Sequence, residues 1–409
     1  MALGRNYRKL WTAAAISNMG DGVVLTATPL LAASLTRDPF LVANIAVLER
    51  LPWALFALVS GALVDRWDRR RVMRTVDTIR GLIFFVVGAA IIGHWISLPL
   101  LYVAVFILGT GETLFDNAAQ AIMPMIVERE DLARANARLY GAQIVTTEFA
   151  GPPIGSFLFA AAASAPFFID GASFVGGALI VSLMAGASFR PPRDAALPPS
   201  RLRHDIKEGL KWLWHHPPLP TMALSLGVFN FLYQGAYSIM VLFALEKLHL
   251  RASAFGLLLL AGAVGGLVGS LTGPRVSAWV GNGRALVLIG LVSGSAMLAT
   301  ATLSNAWAVG PLLAIEAFGS VVWNVVTVSL RQSMIPPNLM GRVNSAYRLV
   351  GWGTIPLGAL VGGIVAKTFG IRAPFYAAGA LLVISAVTLF RRMMPQIEAI
   401  EAARALEES

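Results

Sequence analysis

The chain contains no cysteine, which excludes disulfides, thiolate metal sites and cysteine nucleophiles. Charge is scarce as well: 13% of the residues are Asp, Glu, Lys or Arg, against about 25% in ordinary soluble domains. Histidine is limited to His94, His204, His215, His216 and His249, all in loops or at the ends of apolar stretches. No nucleophile, metal or phosphate-binding constellation accompanies them, so the pattern is not that of an enzyme and calls for no cofactor. The missing phosphate-binding loop also argues against ATP as a direct energy source.

What is abundant is apolar surface. Of 409 residues, 56% are hydrophobic, and the mean hydropathy is +0.70. Stretches of about 20 apolar residues, the length that crosses a hydrocarbon core, recur at 9-35, 41-64, 74-93, 97-121, 137-162, 165-188, 220-245, 254-279, 284-303, 306-332, 345-367 and 372-391. In lipid every backbone polar group must be satisfied within its own segment, and the period-2 alternation of barrel strands is missing. The expected fold class is an all-α membrane protein with about twelve transmembrane helices. The opening residues Met1 to Leu10 run directly into an apolar stretch too long for a signal-peptide core, so they read as the start of the first span.

The formal charge of +10 is spread over alternate connections rather than gathered in one patch, which argues against a nucleic-acid partner. Arg66, Arg69, Arg70, Arg71 and Arg74 follow the second span, Arg129, Arg134 and Arg138 follow the fourth, and 189-219 carries six Lys or Arg. By the positive-inside rule these loops and both termini are cytoplasmic. The expected location is a bacterial cell membrane, the inner one where there are two, with the lipid bilayer as first partner.

Residues 189-219 form the one clear linker, with Pro191, Pro192, Pro198 and Pro199 ahead of an amphipathic stretch from Asp205 to Trp214. That stretch is either an interfacial helix with its tryptophans at headgroup depth or a solvated connector. The linker divides the chain into a six-helix bundle at 1-188 and another at 220-394, with a cytoplasmic tail at 395-409. The halves repeat each other: at an offset of 208, Arg134, Asn136, Pro166, Phe167 and Gly171 fall on Arg342, Asn344, Pro374, Phe375 and Gly379. At an offset of 212, Asn18, Gly61, Val64 and Trp67 fall on Asn230, Gly273, Val276 and Trp279. Two pseudo-symmetric bundles of this kind rock about a site near the bilayer midplane.

After the second span the sequence runs Gly61, three residues, Asp65-Arg66, two residues, then Arg69-Arg70-Arg71. This resembles the signature loop of the major facilitator superfamily, and Asp68 in place of the usual glycine is similar to the branch of enterobactin exporters and macrolide efflux proteins. The resemblance implies a conformational latch of Gly61, Asp65, Arg66, Arg69 and Arg70, with Asp65 at a helix N-terminus of the other half and the arginines on Glu128, Glu130 or Asp131. A plain basic loop that sets topology is the simpler reading. In the fifth span Gly151-Pro152-Pro153-Ile154-Gly155-Ser156 resembles the signature of proton-driven exporters, with Gly151, Pro152 and Gly155 as a kink. The family's usual monomeric state carries over as an expectation.

Ionisable groups near the bilayer centre cost about 2.5 to 3.5 kcal/mol on insertion scales and usually face a cavity. Asp21, between Gly20 and Gly22, is the first candidate for proton coupling; a structural pair with Arg50 is the alternative. Glu49 and Arg50 are adjacent, so they point apart and are expected to pair with other helices. Glu112 and Asp116 share a face of the fourth span, Asp116 also reading as solvated near a cytoplasmic end. Glu148 and Glu316 complete the proton-coupling candidates, while Asp170 reads as solvated or capping. The arginine that drug and proton exchangers usually carry in the fourth span is absent, leaving Arg50 or Arg80 as substitutes.

Arg50, Asn230, Tyr233, Gln234, Trp323, Asn324 and Trp352 are candidates for a cavity taking a bulky amphipathic molecule, although Trp and Tyr also mark span ends at the interface. Together these readings point to a secondary transporter exporting a siderophore, macrolide or other drug by alternating access with proton antiport. An uptake symporter, a lysolipid transporter and a non-transporting sensor are the alternatives, the last disfavoured by the lack of a soluble signalling domain in the sequence.

Overall fold

The computed structural model describes residues 3–64, 66–186, 188–190, 202–336 and 339–408, and within them the chain is helical with no strands. The first part runs through α1 (Arg5–Leu35), α2 (Pro39–Val64), α3 (Arg69–Ile92), α4 (Leu98–Ile126), α5 (Leu132–Gln143), α6 (Gly151–Ala161) and α7 (Ala165–Ser182). The second comprises α8 (Leu202–His215), α9 (Leu219–Tyr237), α10 (Met240–Leu242), α11 (Ala252–Val280), α12 (Asn282–Thr302), α13 (Ala306–Met334), α14 (Met340–Trp352), α15 (Ile355–Phe369) and α16 (Ala373–Glu408). The helix starts carry their chemistry openly. Proline sits in the first turn of α4, α6, α7, α9 and α15, where its missing N–H leaves no bond unmade. Asp68 caps α3 by accepting from the Arg71 backbone N–H at 3.0 Å, and Asn305 caps α13 by accepting from that of Trp307 at 2.9 Å.

Helix occupies each of the twelve intervals read from hydropathy, yet among the described residues eight helices are long and apolar enough to cross a membrane, or nine if α9 and the segment Met240–Lys247, bent by 42°, form one span. The intervals that fall short have identifiable causes. α1 carries Ser17, Asn18, Asp21 and Thr26. The fifth interval is divided by the π-helical turn Ile144–Ala150, which holds Thr146, Thr147 and Glu148. The apolar part of α16, Ala373–Thr388, is short, and the helix continues through Pro395 to Glu408, so 395-408 extends it.

The chain divides into two compact units: Met1–Arg37, Asn44–Ala196 and Leu250–Leu260 in the first, Asp38–Ala43, Leu197–His249 and Ala261–Ser409 in the second. Inside the first, α3 packs on α7 and α4, and α1 on α6 and α7; inside the second, α12 packs on α16 and α13, and α9 on α15 and α16. The pairing scheme is the same, which is the repeat expressed in space. The matched glycines show why it is conserved between halves in this sequence. A methyl on Gly81 would stand 2.9 Å from the Gly171 carbonyl oxygen, and one on Gly294 would stand 2.9 Å from that of Gly379. Both crossings therefore bring backbones together with no room for a side chain. Phe167 and Phe375, also matched, are each 1% exposed.

The linker reading needs correction. α8 belongs to the second unit rather than standing apart: Leu213 is fully buried in its core, Glu208 pairs with Arg342 at 2.8 Å, and Trp212 stacks on His216. Trp214 alone of the pair of tryptophans is exposed.

Candidate functional site

In the first unit three helices converge on one guanidinium. Arg80 of α3, 7% exposed, donates to Asp21 Oδ1 of α1 at 3.1 Å and lies with its Cζ 4.0 Å from the Phe174 ring centre on α7. Asp77, one turn before Arg80, is buried with neither carboxylate oxygen hydrogen-bonded. Asp170 of α7 is fully buried; its Oδ1 accepts from Ser173 Oγ at 2.9 Å while Oδ2 has no partner. Arg80 also interacts electrostatically with Asp77, Asp170 and Glu112. The glycines beside Asp21 permit this: a methyl on Gly20 would overlap Asp170 and Ser173, and one on Gly22 would come 2.7 Å from the Thr146 carbonyl oxygen.

Several expectations change. Asp21 pairs with Arg80 and not Arg50, because Arg80 reaches it from a neighbouring helix. Glu49 and Arg50 pair with each other at 3.7 Å, being partly exposed and long enough to bend together despite their adjacency. Asp170 is neither solvated nor a cap, since α7 starts at Ala165 and the residue points into the unit. Glu112 and Asp116 are partly exposed and belong to the electrostatic neighbourhood of Asp21 and Arg80, which Glu49 also joins. Glu148 is exposed on the π-helical turn, apart from this cluster. Asp77 is the cluster member that the sequence reading did not name, and Asp170 the one it had placed in solvent or at a cap. The available signal was the acid three residues before Arg80 inside an apolar span.

Of the latch residues, Asp65 lies outside the described residues. Gly61 is partly buried near Asn117, and Arg66 is exposed. Arg70 donates to the Met184 carbonyl at 2.6 Å and Arg69 to that of Phe189 at 3.4 Å, so these arginines close carbonyls near the end of α7, while Asp131 pairs with Arg134. Asp68, the departure from the family pattern, accepts from the Phe189 N–H at 2.9 Å and from Ser188 Oγ at 3.3 Å besides capping α3. Burial works against its charge, but these donors and Arg70 outweigh it and hold the carboxyl below its ordinary value. At the fifth span, Gly155 packs against the Val23 backbone and Thr26 donates to the Pro152 carbonyl at 3.2 Å.

The second unit holds a cavity of about 330 Å³ bounded by α9, α13 and α14, with Asn230, Trp323, Asn324 and Trp352 in its wall. Tyr233 and Gln234 are not among its lining, and Arg50 belongs to the other unit. Tyr233 instead stacks between Phe229 and Tyr237. The wall adds Arg331, Tyr347 and Arg348, which the sequence reading did not name. Beside this, Glu316 is 2% exposed and accepts from the Tyr237 hydroxyl at 3.1 Å. A larger hollow of about 460 Å³ near the start of α1 has Arg8, Trp11, Thr12 and Arg138, all exposed, around Tyr7, and holds none of the cavity candidates.

Residues 4–408 match the model of the transmembrane secretion effector family, a branch of the major facilitators. The chain belongs to that family. The chain is 25% identical over 398 residues to the multidrug efflux pump Tap of Mycolicibacterium fortuitum, covering 94% of this chain and 95% of the pump. It is 23% identical to macrolide efflux protein A of Streptococcus pyogenes, covering 93% and 94%, and 24% identical to the enterobactin exporter EntS of Escherichia coli O1:K1 / APEC, covering 96% and 95%. Its fold is similar to that in the crystal structure of a bacterial homologue of the iron transporter ferroportin in inward-facing state, with a TM-score of 0.76 at 18% identity over 96% of this chain and 100% of that one. As a member of this family the chain is a multi-pass cell-membrane transporter, acting in the bilayer on a small molecule, and not an enzyme.

Proposed function

We propose that the protein exports a small amphipathic organic molecule, such as a siderophore, a macrolide or another drug, by alternating access in exchange for protons. The observation that carries the coupling is the Asp21–Arg80 pair, 3.1 Å long and set among further acids. Asp21 is 32% exposed where Arg80 is 7% exposed, so the acid is the more accessible member of the pair. A proton arriving on Asp21 cancels its charge and frees Arg80, which Asp77 and Asp170 then hold on the inner side. The reverse exchange releases the proton when the site faces the other way. Glu49, Glu112 and Asp116 modulate the field at Asp21, and Glu316 with Tyr237 is a candidate for a second proton site. The efflux named for the relatives supports the outward direction.

In this reading the twelve helical intervals all cross the membrane with both termini in the cytoplasm, the six-helix halves at 1-188 and 220-394 rock against each other, and one chain suffices. Gly61, Asp65, Arg66, Arg69 and Arg70 act as the latch, and Gly151, Pro152 and Gly155 as the bend of the fifth span. The test is a pH-sensitive dye in everted vesicles holding a proton gradient, to which siderophores, macrolides and cationic drugs are added. Proton release that requires both a compound and Asp21, lost in Asp21→Asn, is the expected result. No release with any compound, from folded protein, would move the reading to uptake, lipid transfer or facilitated diffusion.

A further inference from the structure

The cavity of the second unit has an unbalanced charge. Arg331 and Arg348 stand in its wall, and no carboxylate does among the described residues. Arg331 is 8% exposed, its Nε has no hydrogen-bond partner, and its Cζ lies 3.8 Å from the centre of the Tyr347 ring. Arg348 lies over Trp352 at 5.1 Å, and the two guanidiniums repel each other. A buried cation held by a ring face and a like-charged neighbour is costly unless an anion completes it. The guanidinium fork matches the planar oxygens of an acid. Phe229 and Trp352 supply flat walls, and about 330 Å³ is at the lower end of the roughly 300–1,000 Å³ of small-molecule sites.

We propose that this cavity is a binding site for an aromatic acid: one planar ring system carrying a carboxylate, sulfonate or acidic phenol, with Arg331 and Arg348 on the acidic group and the ring against Trp352. The site narrows the cargo to anions and disfavours cationic drugs, and as a statement about cargo it rests on the export reading. Asn230, whose amide donates to the Gly351 carbonyl at 2.8 Å, holds α9 against α14 at its rim.

The test is calorimetric titration of the purified full-length protein in phosphatidylcholine nanodiscs with two probes sharing one ring, naphthalene sulfonate and naphthylmethylammonium. Saturable binding of the sulfonate, weakened at least about tenfold in Arg331→Gln and in Arg348→Gln, with no saturable binding of the ammonium, is expected. If Arg331→Gln does not fold, Arg348→Gln, whose side chain is exposed, carries the comparison. Equal or tighter binding of the ammonium, sulfonate binding indifferent to both substitutions, or binding of neither probe overturns the proposal. Arginine-dependent sulfonate binding without export of any anion from loaded vesicles keeps the site and removes the export reading instead.

Discussion

Arg80 Nη2 and Asp21 Oδ1 meet at 3.1 Å between α3 and α1, at a place where Gly20 and Gly22 hold α1 close to its neighbours. The pair is the visible part of a set in which one cation serves Asp21, Asp77 and Asp170. Its members are unequal in what their loss should do.

Arg80→Gln leaves the surrounding carboxyls without their cation. Removing one partner of a buried pair costs about 3 to 5 kcal/mol, so a large fall in the thermal midpoint of the purified protein is expected. Asp21→Asn leaves Arg80 with Asp77 and Asp170 and should lower the midpoint much less. Equal shifts in the two variants would show that the pair is isolated.

Gly22 and Gly176 form a matched comparison. A methyl at Gly22 meets the Thr146 carbonyl oxygen at 2.7 Å, while nothing lies within 4 Å of one at Gly176. Gly22→Ala should destabilise by about 1 to 3 kcal/mol through overpacking. Gly176→Ala should be neutral or slightly stabilising. Differential scanning fluorimetry on both variants reads the difference.

Asp68 supplies a pH dependence with a definite sign. Its carboxyl sits below the ordinary value of 3.8 when folded. The stability it contributes is therefore fully present above that ordinary value and is lost as pH falls through the lower folded value. The gap in thermal midpoint between the native protein and Asp68→Asn should be constant from neutral pH down to about 4 and shrink below it. A gap that widens on acidification would contradict the hydrogen bonds from Phe189 and Arg71.

Tyr237 and Glu316 share a buried hydrogen bond of 3.1 Å. Tyr237→Phe removes this donor from the buried carboxyl and should cost about 1 to 3 kcal/mol. Combining it with Glu316→Leu removes both ends of this hydrogen bond and should recover part of that loss, a coupling that a double-mutant cycle measures. Additive losses would mean that the two side chains act independently.

Much of the architecture was legible in the residues because lipid imposes one rule, that backbone polarity be satisfied within a segment, and hydropathy records it directly. The matches of Gly171 with Gly379 and Phe167 with Phe375 likewise announced a repeat whose helix pairings agree in space. Asp68 looked only like a departure from a motif; its service to Phe189 and Ser188 depends on where the chain returns after α7. The linker reading failed for a similar reason, since the seat of Leu213 is made by other helices.

The sequence alone determined that the chain is an all-helical membrane transporter of the major facilitator type, through its apolar stretches, its loop motif and its alternating basic connections. Only the tertiary structure decided that Arg80 and not Arg50 meets Asp21, that Asp77 and Asp170 are buried beside them, and that Arg331 and Arg348 face one cavity. The physical reason is that hydropathy measures a preference for lipid over water and is blind to direction around a helix. A side chain's partner is set by which helices cross, and by the small residues at the crossing that let them approach.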